Sequence, residues 1–135
     1  MQVDNFNFLL QQAQTVRENA YVPYSQFAVG AAIQTDSGTV FTGCNVENAS
    51  YGLTNCAERS AVFRMIASGE RKIRAIAVIA DAPRPIAPCG ACRQVLSEFG
   101  SENTIVLLAN VAGERLQTTL GELLPYAFVK EDLNG

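Results

Sequence analysis

The eight residues Ile73–Ala80 constrain the fold more than any other part of this chain. A run so apolar and β-branched suits a strand covered on both faces, the kind found where helices flank a sheet on either side. Thr104 to Ala109 reads as another buried strand. Phe27 to Gln34 and Thr39 to Cys44 read as a strand pair joined through the turn Thr35-Asp36-Ser37-Gly38. Phe6, Leu9, Leu10, Ala13 and Val16 recur at helical spacing, with Asp4 placed to cap the start, which predicts an amphipathic helix to about Glu18. Tyr21 to Ser25, interrupted by Pro23, reads as a loop. A second helix is expected from near Cys56 to Gly69, burying Val62, Phe63 and Ile66. Pro83, Pro85 and Pro88 then enforce an extended loop. A third helix is expected from near Cys89 to Gly100, with Cys92, Leu96 and Phe99 on one face. Ala112-Gly113 turns the chain into a strand at Arg115 to Thr119, and Gly121 to Leu124 gives a helical turn before Pro125. This order predicts an α/β fold: a three-layer α/β/α domain with a central mixed sheet of about five strands. At 135 residues, one domain spanning 1–135 is expected.

Charge narrows the function classes. The formal net charge is -3, which argues against a nucleic-acid binder. The only basic cluster, Arg71, Lys72 and Arg74, reads as a solvated connection after a helix. No stretch approaches the roughly 18 apolar residues of a membrane span, and Met1 to Asn5 lacks the basic and apolar regions of a secretory signal. A cytoplasmic location is the resulting expectation, and there four cysteines are more readily reduced than disulfide-bonded.

The chain contains no histidine. A general acid or base acting near neutral pH is therefore a carboxylate, lysine, tyrosine, thiol or metal-bound water. A zinc site must draw on cysteine or carboxylate ligands.

Those restrictions direct attention to Cys56-Ala57-Glu58 and to Pro88-Cys89-Gly90-Ala91-Cys92. On a first helical turn, Cys89 and Cys92 stand at i and i+3, so both sulfurs can grip one ion. Cys56 opens the other helix in the same way. Helix N-termini favour thiolate over thiol. Three thiolates around Zn²⁺ leave a net charge of -1, and Arg59, three residues after Cys56, is placed to donate to the sulfurs and offset part of it. Other readings stay open at this point. Glu58 fits a capping arrangement with Asn55, Arg59 fits an ordinary surface charge, and Cys44 as a fourth ligand would give a closed structural zinc module.

With these residues in view, nearly the whole chain resembles a cytidine deaminase of the short, three-cysteine type. The resemblance rests on Cys56-Ala57-Glu58-Arg59, on Pro88 through Gln94, on Gly43 through Ser50, and on the tail from Leu123-Leu124-Pro125 through Phe128 to Asp132-Leu133. It implies one Zn²⁺ per chain on Cys56, Cys89 and Cys92, with Glu58 as the catalytic proton carrier. It implies hydrolytic deamination of cytidine and deoxycytidine, as in pyrimidine salvage. By the same resemblance, Asn45 and Glu47 bind the ribose hydroxyls, Phe27 packs on the pyrimidine and the Ala57 backbone reads the base edge. Tyr51 and Phe128 match positions lining or crossing subunit contacts, since members of this type are homotetramers that share pockets. The chemistry of Glu47 agrees: a carboxylate suits two vicinal hydroxyls and repels a 5′-phosphate, which favours a free nucleoside. A deaminase for a blasticidin-type antibiotic nucleoside is the alternative within enzymes.

Overall fold

The computed structural model describes residues 2–134, with side chains described over 6–133. The chain forms α1 (Gln2–Arg17), β1 (Val29–Thr35), β2 (Val40–Cys44), a 3-10 turn (Tyr51–Leu53), α2 (Ala57–Ser68) and β3 (Ile73–Ala80). It continues through α3 (Gly90–Phe99), β4 (Ile105–Asn110), β5 (Arg115–Thr119) and two short helices, α4 (Leu120–Leu123) and α5 (Lys130–Asn134).

The five strands form one sheet in the order β2-β1-β3-β4-β5. β3 and β4 run parallel, from Ala75 beside Ile105 to Ala80 beside Asn110, and every other pairing is antiparallel. The parallel pair requires a crossover, which α3 supplies. Because side chains alternate along a strand, β3 serves both faces. Ala75, Ala77 and Ile79 join Leu9, Leu10 and Ala13 of α1 in one core. Ile76 and Val78 join Val62 and Met65 of α2 and Leu96 of α3 in the other. The expected three-layer α/β/α fold with a mixed five-stranded sheet is therefore present.

Local corrections are few. The first helix begins at Gln2, so Asp4 lies inside its first turn and not at a cap; the Asp4 side chain is outside the described ones. Phe63 is not buried: it is 51 % exposed, because Val62 and Met65 take the inward face of α2 and Phe63 falls one residue round the helix. The hairpin turn closes as expected, with Thr35 N–H donating to Thr39 C=O at 2.9 Å and Gly38 in the left-handed region at φ 91°. The Arg71, Lys72 and Arg74 cluster is solvent-exposed. Among the described residues, no helix is long and apolar enough to cross a membrane.

One close approach positions the functional region. A Cβ on Gly43 of β2 would fall 2.4 Å from the Ala61 nitrogen and 2.6 Å from the Ala57 oxygen. Glycine thus lets the first turn of α2 rest directly on β2, and Cys56 sits immediately ahead of that turn.

Candidate metal centre and active site

Cys56 and Cys89 are the N-cap residues of α2 and α3, both extended (φ -74°, ψ 157° and φ -65°, ψ 166°), and neither spends its side chain on a cap hydrogen bond. Both sulfurs are therefore free to face the space between the helix tips. Cys92, in the first turn of α3, is buried. The Cys56 and Cys89 sulfurs are 3.9 Å apart, and those of Cys89 and Cys92 are 3.4 Å apart.

These separations bracket the ~3.8 Å expected between two thiolates on a tetrahedral zinc with Zn–S of ~2.3 Å. All three sulfurs lie within 4.8 Å of one another, and no fourth Cys, Asp or Glu joins the group among the described residues. The donor set fits one zinc ion. It also has the three-ligand composition of catalytic zinc sites and not the four-ligand composition of structural ones. Cys44 stands outside it, half-buried, its thiol pushed up by burial. The closed Cys₄ reading is thereby set aside.

The electrostatics favour a thiolate at Cys56. The Cys56 thiol is lowered to about 5, first by a hydrogen bond from Cys92 and then, against the cost of burial, by Arg59 and Cys89. The Cys92 thiol moves the other way, raised by its interaction with Cys56 and by burial. Arg59 Nη2 donates to the Cys56 sulfur at 3.5 Å, while its Nε is buried without a partner. Its guanidinium is committed to the ligand cluster, as its spacing from Cys56 predicts.

Glu58 occupies the first turn of α2 and is only 5 % exposed. Its carboxyl is pushed up to about 7, chiefly by burial and secondarily by the negative charge on Cys56; its own backbone N–H and Arg59 pull the other way. A carboxylate so placed exchanges a proton near neutrality.

A second group of residues lines up beside this one. Val46 and Asn55 exchange backbone hydrogen bonds of 2.9 and 3.0 Å, which lays the segment after β2 against the residue preceding Cys56. Tyr21 bridges Val46 from the other side, bringing in the loop before β1. Asn45 ties that loop down: Oδ1 accepts from Val29 N–H at 2.9 Å and Nδ2 donates to Phe27 C=O at 2.8 Å. Glu47 accepts from the backbone N–H groups of Tyr24 and Ser25 at 3.0 and 3.1 Å, and from the Ser25 hydroxyl. These bonds, the Ser25 hydroxyl first, hold its carboxyl below the ordinary range. Glu47 Oε1 already accepts both backbone bonds, so Oε2 keeps the further lone pair, and Asn45 keeps a second N–H.

Glu47 and Tyr51 share a cavity of about 380 Å³ with Tyr24, Ser25 and Thr54. The Tyr24 and Tyr51 rings meet edge-on, 5.9 Å between centroids. Tyr24, Ser25 and Thr54 escape sequence reasoning because only the Tyr21–Val46–Asn55 bridges bring them here. Phe27 is 37 % exposed on the same loop, and Ala57 is fully buried. Phe128 does not line this cavity; it lies on the C-terminal segment, 58 % exposed.

Three thiol donors on two helix tips, with a buried carboxyl pushed up to about 7 beside them, suit zinc-assisted proton-transfer chemistry on an α/β fold. Residues 4–108 match the family described as "Cytidine and deoxycytidylate deaminase zinc-binding region". A cytidine deaminase of Halalkalibacterium halodurans is 54 % identical over 126 residues, 93 % of this chain and 96 % of that one. One of Sporosarcina psychrophila is 50 % identical over 93 % of each chain. The 1.6 Å crystal structure of cytidine deaminase from Burkholderia pseudomallei superposes with a TM-score of 0.88 at 54 % identity, covering 90 % of this chain and 98 % of that one. The chain belongs to the zinc-binding cytidine and deoxycytidylate deaminase family.

Proposed function

We propose that this protein is a cytidine deaminase, converting cytidine and deoxycytidine with water to uridine and deoxyuridine plus ammonia. Residues 1–135 would act as one catalytic domain. The observation that carries the reading is Glu58 buried in the first turn of the helix that Cys56 opens, with the Cys89 and Cys92 sulfurs within 4.8 Å of that of Cys56.

Cys56, Cys89 and Cys92 would hold the zinc, which would supply a water with its pKa lowered toward ~7. Glu58 is the proton carrier. It takes one proton from the attacking water and passes it to N3 of cytosine, which makes C4 more electrophilic. As the water oxygen bonds to C4, Glu58 takes the second proton from that oxygen and gives it to the amino group, and the C4–N bond breaks to release ammonia. Its burial keeps the protonated form accessible near pH 7. Glu47 accepts from the ribose hydroxyls, and its lowered pKa keeps it ionised for that task. Asn45 supports the same sugar while fixing the Phe27 loop, Phe27 packs on the pyrimidine, and the Ala57 backbone reads the base edge.

Tyr51, Leu53, Phe63, Tyr126 and Phe128 are large apolar side chains, each more than half exposed. Such exposure supports a homotetramer in which Tyr51 and Phe128 meet neighbouring subunits and complete their pockets. The thiol ligands suit a reducing cytoplasm, where the reaction would serve pyrimidine salvage.

The test is Glu58→Ala. The variant is expected to fold, bind one zinc per chain and lose several orders of magnitude in ammonia release from cytidine. Wild-type turnover in that variant would end this reading. Light scattering in solution checks the tetramer, and a substrate panel separates cytidine from antibiotic nucleosides.

A further inference from the structure

Two residues immediately after Cys92 reach away from the metal centre. Arg93 Nε donates to Pro88 C=O at 2.7 Å, and Arg93 Nη1 donates to Leu123 C=O at 2.7 Å. Gln94 Nε2 donates to Phe128 C=O at 2.8 Å. Pro88 is buried, and its carbonyl belongs to the peptide that supplies the Cys89 nitrogen. One guanidinium fork thus holds the approach to Cys89 with one arm and the end of α4 with the other. Arginine is suited to this because its donors are fixed in a plane. The Leu123 carbonyl is one that a helix C-terminus leaves without an intrahelical partner.

Between the two anchored carbonyls the chain passes through Pro125 and Tyr126. Tyr126 has φ 55°, in the left-handed region that bulky residues rarely adopt. Its side chain is fully exposed, so no packing of the ring keeps it there. The conformation is maintained by what holds the segment at either end.

We infer that Arg93 and Gln94 are positioning residues: α3 carries 123–128 as a strap, and the helical turn that presents Cys92 also sets where Phe128 is displayed. The inference rests on Phe128 facing substrate in the assembled enzyme. It adds that the tail has no independent placement, and that the metal helix dictates it.

The experiment uses the zinc-loaded full-length enzyme and compares Gln94→Glu, Gln94→Lys, Arg93→Lys and Phe128→Ala with wild type. Zinc content, kcat, KM for cytidine and amide exchange over residues 124–129 are measured. Gln94→Glu keeps the size of the side chain but removes its donor. It is expected to speed exchange in the tail and raise KM about 3- to 10-fold, the range of one neutral hydrogen bond, with zinc content and kcat near wild type. Gln94→Lys restores a donor and should recover both readouts. Arg93→Lys cannot span both carbonyls in one plane, and should speed tail exchange and also zinc loss to a chelator. Unchanged tail exchange in Gln94→Glu and Arg93→Lys would overturn the inference. So would faster exchange with unaltered KM in Gln94→Glu while Phe128→Ala raises KM. If Phe128→Ala itself leaves KM unaltered, the assignment of Phe128 to the substrate fails, and the inference falls with it.

Discussion

The Arg59 guanidinium folds back along α2 so that Nη2 lies 3.5 Å from the sulfur of Cys56, the residue that opens the helix. Three thiolates on a divalent ion leave excess negative charge, and this contact offsets part of it. Replacing Arg59 with Gln should reduce zinc affinity or turnover by ~10- to 100-fold, as loss of a group supporting a metal ligand commonly does. Competition with a chromophoric chelator and steady-state kinetics measure the two effects. Wild-type values in both would show that Arg59 is an ordinary surface charge.

Gly43 and Gly38 give a contrasting pair. A methyl on Gly43 meets backbone atoms of α2 at 2.4 and 2.6 Å, so α2 must lift from β2 and take Cys56 with it. Gly43→Ala should cost about 2 kcal/mol or more in denaturant unfolding and lower zinc stoichiometry. Gly38 has open space around it but φ 91°, so Gly38→Ala should cost only about 1 kcal/mol and leave the metal in place. Equal losses of zinc in the two variants would refute the link between the α2–β2 approach and the metal centre.

Cys44 separates a catalytic from a structural metal. It is half-buried and lies outside the three-sulfur group. Cys44→Ala should keep one zinc per chain and near-normal turnover, with only a modest loss of stability. Release of zinc from this variant, seen by elemental analysis, would reinstate a four-cysteine centre.

Acid sensitivity should have a contribution from the β1–β2 turn. The Glu70 carboxylate accepts from the Ser37 hydroxyl at 2.7 Å, and that bond, with help from Thr35 and Thr39, lowers its pKa in the folded chain. A carboxyl whose folded pKa is depressed stabilises the protein above its unfolded pKa of ~4.3. That stabilisation is lost as pH falls through the folded value. Glu70→Gln should therefore be less stable than wild type at pH 7, and the gap should close toward pH 3. A gap that widens on acidification would reverse the sign of this argument.

The layers and the three-sulfur group are legible because each depends on short-range pattern. Ile73–Ala80 is apolar on both faces, and it became the strand with Ala75, Ala77 and Ile79 toward α1 and Ile76 and Val78 toward α2 and α3. Cys56, Cys89 and Cys92 declared themselves by lying where helices begin. Phe63 misled, since an apolar residue in a helix need not face its core when Val62 and Met65 already do. Tyr24, Ser25 and Thr54 were invisible for a different reason. Their meeting with Glu47 depends on pairings between distant segments, which no local spacing encodes. The short α5 and the 3-10 turn at Tyr51–Leu53 went unread because three to five residues carry too little periodicity.

Each helix that offers a sulfur is seated on the sheet by its own apolar side chains, Val62 and Met65 for α2 and Leu96 for α3. That seating does not depend on an ion, so a bound zinc would meet a site already shaped by the core, unlike the metal of a zinc finger, which must organise its own polypeptide. A newly made chain should reach its native shape first and acquire zinc afterwards, and a metal-starved cell would accumulate folded, rescuable apoprotein instead of debris for proteolysis.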